Sequence, residues 1–222
     1  MGFSHEWERI YQGNKQINQW PFTDVVSYVM RYVRPKPSGF RVLELGCGSG
    51  PNIPFFLSLD FEYYGIEGSS TIIEELKIKF DQLKENLHCG DFTKEIPFSG
   101  KFDIIVDRSA LTHNSTEAIR ACLKKVYELL KPGGFYIGID WFSTMHSDYQ
   151  MGKSIEDVYT RGAYTEGQFS QIGRVHFSDQ SHLLELFHQF KIKILEHKTS
   201  QAVIPQKDEK QFAVWNLVAV KP

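Results

Sequence analysis

Short apolar segments alternate with amphipathic segments along the chain from residue 41 onward. The apolar segments have the length of strands and are predicted at 41–45, 61–66, 87–89, 102–106, 135–141, 191–197 and 212–220. The amphipathic segments predict helices at 22–34, 51–58, 70–83, 116–130 and 179–190, with Ser69 or Ser70 as an N-cap. This alternation predicts an α/β fold with a mostly parallel sheet covered by helices. The last two strands lack an intervening helix and should pair antiparallel.

The same pattern divides residues 1–222, which we expect to form a single domain, into four parts. An N-terminal arm, 1–39, ends in the cluster Pro35-Lys-Pro-Ser-Gly39 and is expected to act as a lid. A core over 40–141 carries the regular alternation, and 179–222 supplies a closing helix and strand pair. Residues 142–178 fit no clear period, and so long a segment is usually functional or mobile. We therefore expect this insert to be a mobile substrate lid.

Composition limits the classes of function. The chain is 41% apolar and 23% charged with a net charge of -2, which is typical of a globular protein and disfavours a nucleic-acid partner. The three cysteines form no CxxC pair and match no zinc spacing, so we expect a reduced cytoplasmic protein without a metal. The first residues lack a signal-peptide pattern, and no apolar run approaches about 18 residues, so no membrane span is expected.

A glycine-rich loop follows the first predicted strand and opens a helix, in the segment Val42-Leu-Glu-Leu-Gly-Cys-Gly-Ser-Gly50. Glycines in such a loop permit a tight turn and a close approach of the backbone to a ligand. A phosphate-binding P-loop requires a lysine after the last glycine, which is absent here. A dinucleotide fingerprint requires a third glycine where Pro51 stands. The pattern is instead E-x-G-x-G-x-G.

This segment resembles motif I of class I S-adenosylmethionine-dependent methyltransferases. The resemblance implies a Rossmann-like seven-stranded sheet of order 3-2-1-4-5-7-6, with the last strand antiparallel and helices on both faces. It also implies S-adenosylmethionine as cofactor and S-adenosylhomocysteine as product. By the same resemblance, Glu44 lies at the amino-acid end of the cofactor. The loop residues expected to surround that end are Gly46, Cys47, Gly48 and Gly50.

Further segments match the family's later motifs, and the resemblance is strong over about 40–141. Glu67, followed by Gly68, ends the second strand and matches the ribose-binding acid; its alternative role is that of a neighbour of a helix N-cap. Asp91 and Phe92 match the residues that bind and cover the adenine, although Gly-Asp alone would indicate only a turn. The segment ending at Asp107 resembles the fourth motif, and Lys131-Pro-Gly-Gly134 precedes the fifth strand. The resemblance implies that Asp107 and Gly68 also bind the cofactor. In the arm, Trp7, Tyr11 and Trp20 are expected to fold over the cofactor.

Methyl transfer requires mainly that donor and acceptor are held in line, and a base is needed only when the nucleophile is protonated. His113, after the fourth strand, is the candidate base; otherwise it is a loop residue that closes against the cofactor. Candidates for acceptor binding are Trp141, His146, Arg161 and His176. The alternative role of Trp141 is that of a core aromatic residue. His146 and Arg161 would otherwise be ordinary solvated loop residues, and His176 a capping or hinge residue. Basic and aromatic residues in the insert favour an anionic acceptor.

The family resemblance favours a small-molecule acceptor, methylated on oxygen or nitrogen. The motifs of amino-methylating DNA enzymes, cytosine C5 enzymes, protein arginine enzymes and magnesium-dependent catechol enzymes are absent from the sequence. An RNA or protein methyltransferase and a non-catalytic S-adenosylmethionine-binding module remain alternatives. A nucleotide-sugar oxidoreductase is a weaker one, because Pro51 replaces the third glycine and a YxxxK pair is lacking.

Overall fold

In the computed structural model, residues 5–13, 17–34, 39–170, 172–204 and 210–222 are described. Seven strands form the main sheet: β1 (Arg41–Leu45), β2 (Glu62–Glu67), β3 (Leu87–Cys89), β4 (Phe102–Arg108), β5 (Leu130–Phe142), β9 (Lys191–Gln201) and β10 (Gln211–Val220). Their order is β3-β2-β1-β4-β5-β10-β9. Numbered among themselves, these strands follow 3-2-1-4-5-7-6, so the predicted fold class and order are confirmed. Only β10 runs antiparallel, against both β5 and β9.

Helices cover both faces of this sheet. The helices are α1 (His5–Gln12), α2 (Thr23–Tyr28), α3 (Ile53–Ser58), α4 (Ser70–Lys79), α5 (Thr116–Leu129) and α6 (Gln180–Leu186). A π-helical turn, Val29–Val33, extends α2, and 3₁₀ turns occur at Asp81–Asn86, Leu111–His113 and Ser147–Tyr149. The predicted N-cap of α4 is confirmed, because the Ser69 hydroxyl accepts a hydrogen bond from the backbone N–H of Ile72. Helix α1 had not been predicted.

Two apolar layers hold the helices against the sheet, because successive residues of a strand point to opposite faces. Val42 belongs to the layer that includes buried residues of α2, α3 and α4. Leu43 belongs to the layer that includes buried residues of α5 and α6. Both side chains are fully buried. Burial on both faces explains why the strands read as nearly continuous apolar runs in the sequence.

The insert contains regular structure that its sequence did not reveal. Three short strands, β6 (Lys153–Ser154), β7 (Thr160–Gly162) and β8 (Arg174–His176), form a separate antiparallel sheet. A third apolar cluster joins this sheet to the ends of β5 and β10, and its buried members are Phe142, Tyr149, Tyr164, Phe169, Val175, Phe177 and Val214. The insert is therefore packed on its own aromatic core.

Two further differences concern segment boundaries. Strand β5 begins at Leu130 rather than 135, because the Lys131-Pro-Gly-Gly134 backbone is paired: Gly133 N–H donates to Lys221, and Gly134 accepts from it. The Pro35-Lys-Pro-Ser stretch that was predicted to separate the arm from the core lies outside the described residues. Within the described ranges, no helix has the length and apolar character that crossing a membrane requires.

Candidate active site

A cleft opens at the carboxyl ends of β1, β2 and β4, where open α/β sheets bind ligands. Its open volume, with the solvent at its mouth included, is about 910 Å³. The predicted residues that line the cleft are Trp7, Tyr11, Glu44, Gly46, Cys47, Gly48, Glu67, Asp91, Phe92 and His113. The structure thus brings one end of the glycine loop, two strand-end acids, the Asp91 turn and the arm to a single site.

The glycine loop is shaped by contacts that a side chain would destroy. Gly46 has φ +64, and a Cβ built on it would lie 2.3 Å from the Cβ of Ala110. At Gly48, with φ +49, a Cβ would lie 3.0 Å from the Tyr11 hydroxyl. Both positions therefore favour glycine for conformation, and Gly46 also requires it for space. Gly50 lies outside the lining, and its N–H closes the loop by donating to Cys47 at 3.0 Å.

Glu44 is a buried carboxyl at the end of β1. Its two oxygens accept hydrogen bonds from Asn52 Nδ2 and from the Tyr63 hydroxyl, each at 2.7 Å. Burial raises the pKa of the Glu44 carboxyl to about 7, and these two hydrogen bonds oppose the rise. Asn52 also accepts from the Phe22 N–H at 3.0 Å, which ties the arm to the loop. A buried carboxylate that lines a cleft suits a cationic amine, as the predicted role requires.

Glu67 ends β2 and is 5% exposed. Its Oε2 accepts from the Gly48 N–H at 3.0 Å, and its Oε1 accepts from the Ser69 N–H at 3.1 Å. Burial raises the pKa of Glu67, and the backbone hydrogen bonds counteract this rise. Each carboxylate oxygen keeps a further lone pair that can accept from a ligand hydroxyl. Glu67 thus organises the loop and still fits a vicinal diol such as that of a ribose.

Asp91 and Phe92 form the wall of the cleft that follows β3. Asp91 Oδ1 accepts from the N–H and hydroxyl of Thr93, at 3.0 and 2.6 Å, and its Oδ2 lies 3.5 Å from Lys94 Nζ. The turn read from Gly-Asp is therefore present. Phe92 is 8% exposed and packs in the apolar layer under the cleft. An acceptor carboxylate beside an aromatic ring fits a planar base that carries an amino group.

His113 and Trp7 close the cleft on the side opposite to Asp91. The His113 Nδ1 lies 3.2 Å from the backbone oxygen of Arg174, and because that oxygen only accepts, Nδ1 carries the proton. The Nε2 lone pair is then free of a proton. Burial lowers the pKa of His113 to about 4, so the ring is neutral at pH 7. Trp7 from α1 meets this ring edge-on, with the centroids 4.9 Å apart.

Other predicted residues lie outside the lining. Asp107 is fully buried beneath the cleft, where Oδ1 accepts from the N–H groups of Ala110 and Leu111 at 2.9 and 3.0 Å. Its Oδ2 accepts from the Tyr136 hydroxyl at 3.1 Å and from Trp141 Nε1 at 2.8 Å. Burial raises the pKa of Asp107 to about 6. The structure thus places Asp107 and Trp141 under the turn that carries His113.

Gly68 and the insert residues are also placed away from the cleft. The Gly68 backbone oxygen lies 3.7 Å from the sulfur of Cys89. The His146 ring lies among aromatic rings and contacts Gln168 Nε2 at 3.0 Å. The guanidinium of Arg161 lies 4.1 Å from the centroid of the Tyr149 ring. Their predicted roles in binding cofactor and acceptor remain predictions.

His176 is fully buried in β8, and its Nε2 lies 3.2 Å from Nε2 of His182 on α6. Burial and the neighbouring His182 lower the pKa of His176 to about 3. A depressed pKa in the folded state means that the unfolded chain binds more protons below pH 6.5, so acid destabilises the fold.

Lowering the pH from 7 to 5 reduces the free energy of unfolding of the wild type. We expect this reduction to be about 2 kcal/mol smaller in His176→Gln, as measured by urea denaturation at both pH values. His188→Gln, at an exposed position, is the control and should behave like the wild type. Equal pH dependence of wild type and His176→Gln would contradict the assignment of this term to His176.

Several lining residues were missed by the sequence reasoning, and these are Asn18, Phe22, Ser49, Pro51, Gly90, Arg108, Ser109, Ala110 and Asn114. Those directly after β4 had a usable signal, because the first residues beyond a parallel strand lie at the ligand-binding edge. Those of the arm had none. Trp20, by contrast, is 81% exposed and does not line the cleft. Within the described ranges, no group of three or more His, Cys, Asp or Glu side chains is arranged to hold a metal ion.

Comparison with known proteins points in the same direction as the geometry. Residues 42–134 match a family model described as a methyltransferase domain. The ubiquinone biosynthesis O-methyltransferase of Rhodopseudomonas palustris (strain HaA2) is 31% identical over 102 residues, covering 45% of this chain and 39% of that protein. The chain therefore matches about two fifths of the length of this curated relative.

Similar solved structures cover nearly the whole chain. A methyltransferase of Methanosarcina mazei, described as S-adenosylmethionine-dependent, has a TM-score of 0.68 at 17% identity, with 91% of this chain and 98% of that chain covered. The 1,6-didemethyltoxoflavin-N1-methyltransferase of Burkholderia thailandensis, solved with 1,6-didemethyltoxoflavin and S-adenosylhomocysteine, has a TM-score of 0.67 at 15% identity, covering 96% and 84%. At such identities these structures show the fold alone.

The methyltransferase-domain match spans the glycine loop, Glu67 and Asp91, which also meet in the cleft. The strand order and the antiparallel β10 complete the architecture that the sequence resemblance implied. Over residues 42–134 the chain is therefore similar to a methyltransferase domain, and its fold matches that of solved S-adenosylmethionine-dependent methyltransferases.

Proposed function

We propose that this protein transfers a methyl group from S-adenosylmethionine to the oxygen or nitrogen of a small molecule and releases S-adenosylhomocysteine. The observation that carries the proposal is the convergence of Glu44, Glu67 and Asp91 on one cleft beside the glycine loop. Each acid has a matching group on that cofactor: the amino group, the ribose hydroxyls and the adenine amino group. When bound, the cofactor supplies an electrophilic methyl carbon on a positively charged sulfur.

The protein's own contribution is to position the reactants and to exclude water. Loop glycines let the backbone approach the ligand, while Trp7 and Tyr11 of α1 cover it from the solvent side. Positioning of this kind contributes roughly 7–11 kcal/mol in favourable cases. A base is needed only for a protonated nucleophile, and neutral His113 in the lining can accept a proton at Nε2.

A small acceptor is favoured by the shape of the site and by the relatives. The cleft is bounded by α1 and by the turn after β4, and the backbone oxygen of Arg174 in the insert contacts the ring of His113. The Burkholderia thailandensis structure holds 1,6-didemethyltoxoflavin, and the Rhodopseudomonas palustris relatives are described as ubiquinone biosynthesis O-methyltransferases. An RNA or protein acceptor, or a module without catalysis, is the alternative that the assays below test.

Cofactor choice is tested by isothermal titration calorimetry with S-adenosylmethionine, S-adenosylhomocysteine and NAD. We expect both adenosyl compounds to bind and NAD to give no measurable heat, because Pro51 replaces the third glycine of the dinucleotide fingerprint. Binding of NAD with neither adenosyl compound bound would refute the proposal. Catalysis is then tested on a metabolite library by measuring release of S-adenosylhomocysteine, and binding without turnover on any small molecule would favour the alternatives.

The insert, residues 142–178, is proposed as a lid over the acceptor. Its residue Arg161 lies outside the cleft lining, so it would reach an acceptor only after a rearrangement. We expect amide hydrogen exchange in the insert to be fast in the free protein and slower with cofactor and acceptor together. We also expect Arg161→Ala to raise the acceptor KM with little change in cofactor affinity. Equal protection in both states would leave the insert a purely structural element.

A further inference from the structure

Arg108 introduces positive charge into a cleft whose other charged side chains are acids. It is the single Lys or Arg among the described residues that line the cleft, which also holds Glu44, Glu67 and Asp91. Along the sheet order, these acids belong to β1, β2 and the turn after β3, whereas Arg108 ends β4. The cleft is therefore polarised, with its carboxylates on one side and a guanidinium on the other.

The guanidinium is held in place on two sides. Its Nε and Nη2 both donate to Asp140 Oδ2 of β5, at 2.9 and 2.8 Å, and its Cζ lies 4.0 Å from the centroid of the Phe22 ring. Asp140 is fixed in turn, because its N–H donates to Asn216 Oδ1 at 2.9 Å. Within the described part of the chain, Arg108 Nη1 has no hydrogen-bond partner. A preorganised guanidinium with spare donors suits an oxyanion.

The backbone at this point is strained in a way that preserves the arrangement. Ser109 and Asp140 both have φ +56, a left-handed conformation that non-glycine residues rarely adopt. The Ser109 hydroxyl donates to the Asp140 backbone oxygen at 3.0 Å, which links the two strained residues directly. Strain of this kind concentrates at ligand-binding sites, where the surrounding structure enforces it. Ser109 directly follows Arg108, and Asp140 is the ion-pair partner of Arg108, so the unusual backbone conformations lie at the two ends of the ion pair.

We propose that Arg108 binds a carboxylate of the methyl acceptor, so that the substrates are small organic acids. This inference rests on the proposed methyltransferase function and specifies its substrate class. The amino-acid carboxylate of the cofactor is the other source of the same chemistry. The acceptor is favoured because Arg108 is paired to β5, one strand farther from the acids that fit the cofactor. Arg161, the other cationic candidate, lies over Tyr149 outside the lining.

The first part of the test distinguishes the acceptor carboxylate from the carboxylate of the cofactor. Calorimetry compares wild type, Arg108→Gln and Arg120→Gln with S-adenosylhomocysteine and with 5′-methylthioadenosine, which lacks the amino-acid carboxylate. Arg120 is a matched control, since it pairs with Glu185 on the surface. We expect the Kd of both compounds to change less than about threefold in Arg108→Gln. A loss of tenfold or more for S-adenosylhomocysteine alone would assign Arg108 to the cofactor and overturn the proposal.

The second part of the test measures how the complex with S-adenosylhomocysteine binds model acceptors. Paired aromatic acids and their carboxamides, such as benzoate and benzamide, are titrated and followed by ligand-observed NMR. We expect the wild type and Arg120→Gln to prefer the acids by at least about tenfold and Arg108→Gln to lose this preference. Arg108→Lys keeps the charge and should retain part of it. No preference for acids in the wild type, including no binding of either member of any pair, would overturn the proposal.

Thermal unfolding of each variant, with and without S-adenosylhomocysteine, shows whether Arg108→Gln is folded and loaded. If Arg108→Gln fails to fold, Arg108→Lys still decides the matter: a partial loss of the preference for acids over amides supports the proposal, and an unchanged preference would contradict a role of the Arg108 guanidinium in acceptor binding. Failure of the wild type to bind S-adenosylhomocysteine at all would instead refute the proposed function.

Discussion

Glu67→Ala is expected to weaken binding of S-adenosylhomocysteine by at least about tenfold. The Glu67 carboxylate lines the cleft, and each of its oxygens has spare capacity to accept from a ribose hydroxyl. A hydrogen bond to a charged group contributes roughly 1.5–3 kcal/mol, so losing even one reaches this factor. Calorimetry on wild type and variant measures the effect directly.

Glu67→Ala has a second effect, on the glycine loop, which the control must separate from the loss of ligand contacts. Glu67 also accepts from the N–H groups of Gly48 and Ser69, so its removal loosens the glycine loop as well as removing ligand contacts. Binding of 2′,3′-dideoxyadenosine, which lacks the ribose hydroxyls, separates the two effects, because only loop loosening should weaken it. Glu74→Ala, an exposed acid on α4, is the matched control. An unchanged dissociation constant in Glu67→Ala would leave Glu67 with a structural role only.

The main sheet was predictable because its signal is local and strong. Strands buried on both faces must be apolar throughout, and segments such as Phe102–Arg108 therefore stand out from amphipathic helices such as Thr116–Leu129. The glycine loop was equally visible, since Gly46 and Gly48 both have positive φ, and a side chain at Gly46 would also clash with Ala110. Both signals depend on residues close in sequence.

The insert was not predictable, because its stability comes from contacts between distant residues. Its strands have two or three residues each, which is too short for a period to appear. Phe142 and Phe169 pack edge-on with their centroids 4.8 Å apart, although 27 positions separate them in the sequence. A similar limit applies to Arg108, whose partner Asp140 lies 32 residues away on the neighbouring strand. Neither contact produces a recognisable pattern among residues that are close in the sequence.

Asp107 shows how a motif can be matched while the role of one residue stays open. The resemblance assigned it to the cofactor, but the structure places it beneath the cleft with hydrogen bonds from two backbone N–H groups and from Tyr136 and Trp141. These donors come from the turn after β4 and from β5, so a carboxylate at this point joins the two elements. The turn it supports carries His113 and Ala110, which both line the cleft.

We therefore expect Asp107→Ala to lower the free energy of unfolding by about 3–5 kcal/mol at pH 7, because four buried donors lose their acceptor at once. Asp107→Asn should be nearly as costly, since its amide nitrogen would face two donors. Asp103→Ala is the control on the same strand, where the partly exposed carboxylate pairs with Lys131 and should contribute about 1 kcal/mol. Urea denaturation measures all three.

Cofactor affinity then shows whether Asp107 only stabilises the turn after β4 or also contacts the cofactor. If Asp107 acts only through the turn, Asp107→Asn that is still folded at low temperature should bind S-adenosylhomocysteine within a few-fold of the wild type, even though its unfolding midpoint is far lower. A residue that touches the cofactor would instead lose affinity in proportion to the hydrogen bond removed, at least about tenfold for a charged acceptor. Full stability combined with such a loss of affinity would return Asp107 to the role that the resemblance implied, and the turn would owe its position to Trp141 and Tyr136 packing alone.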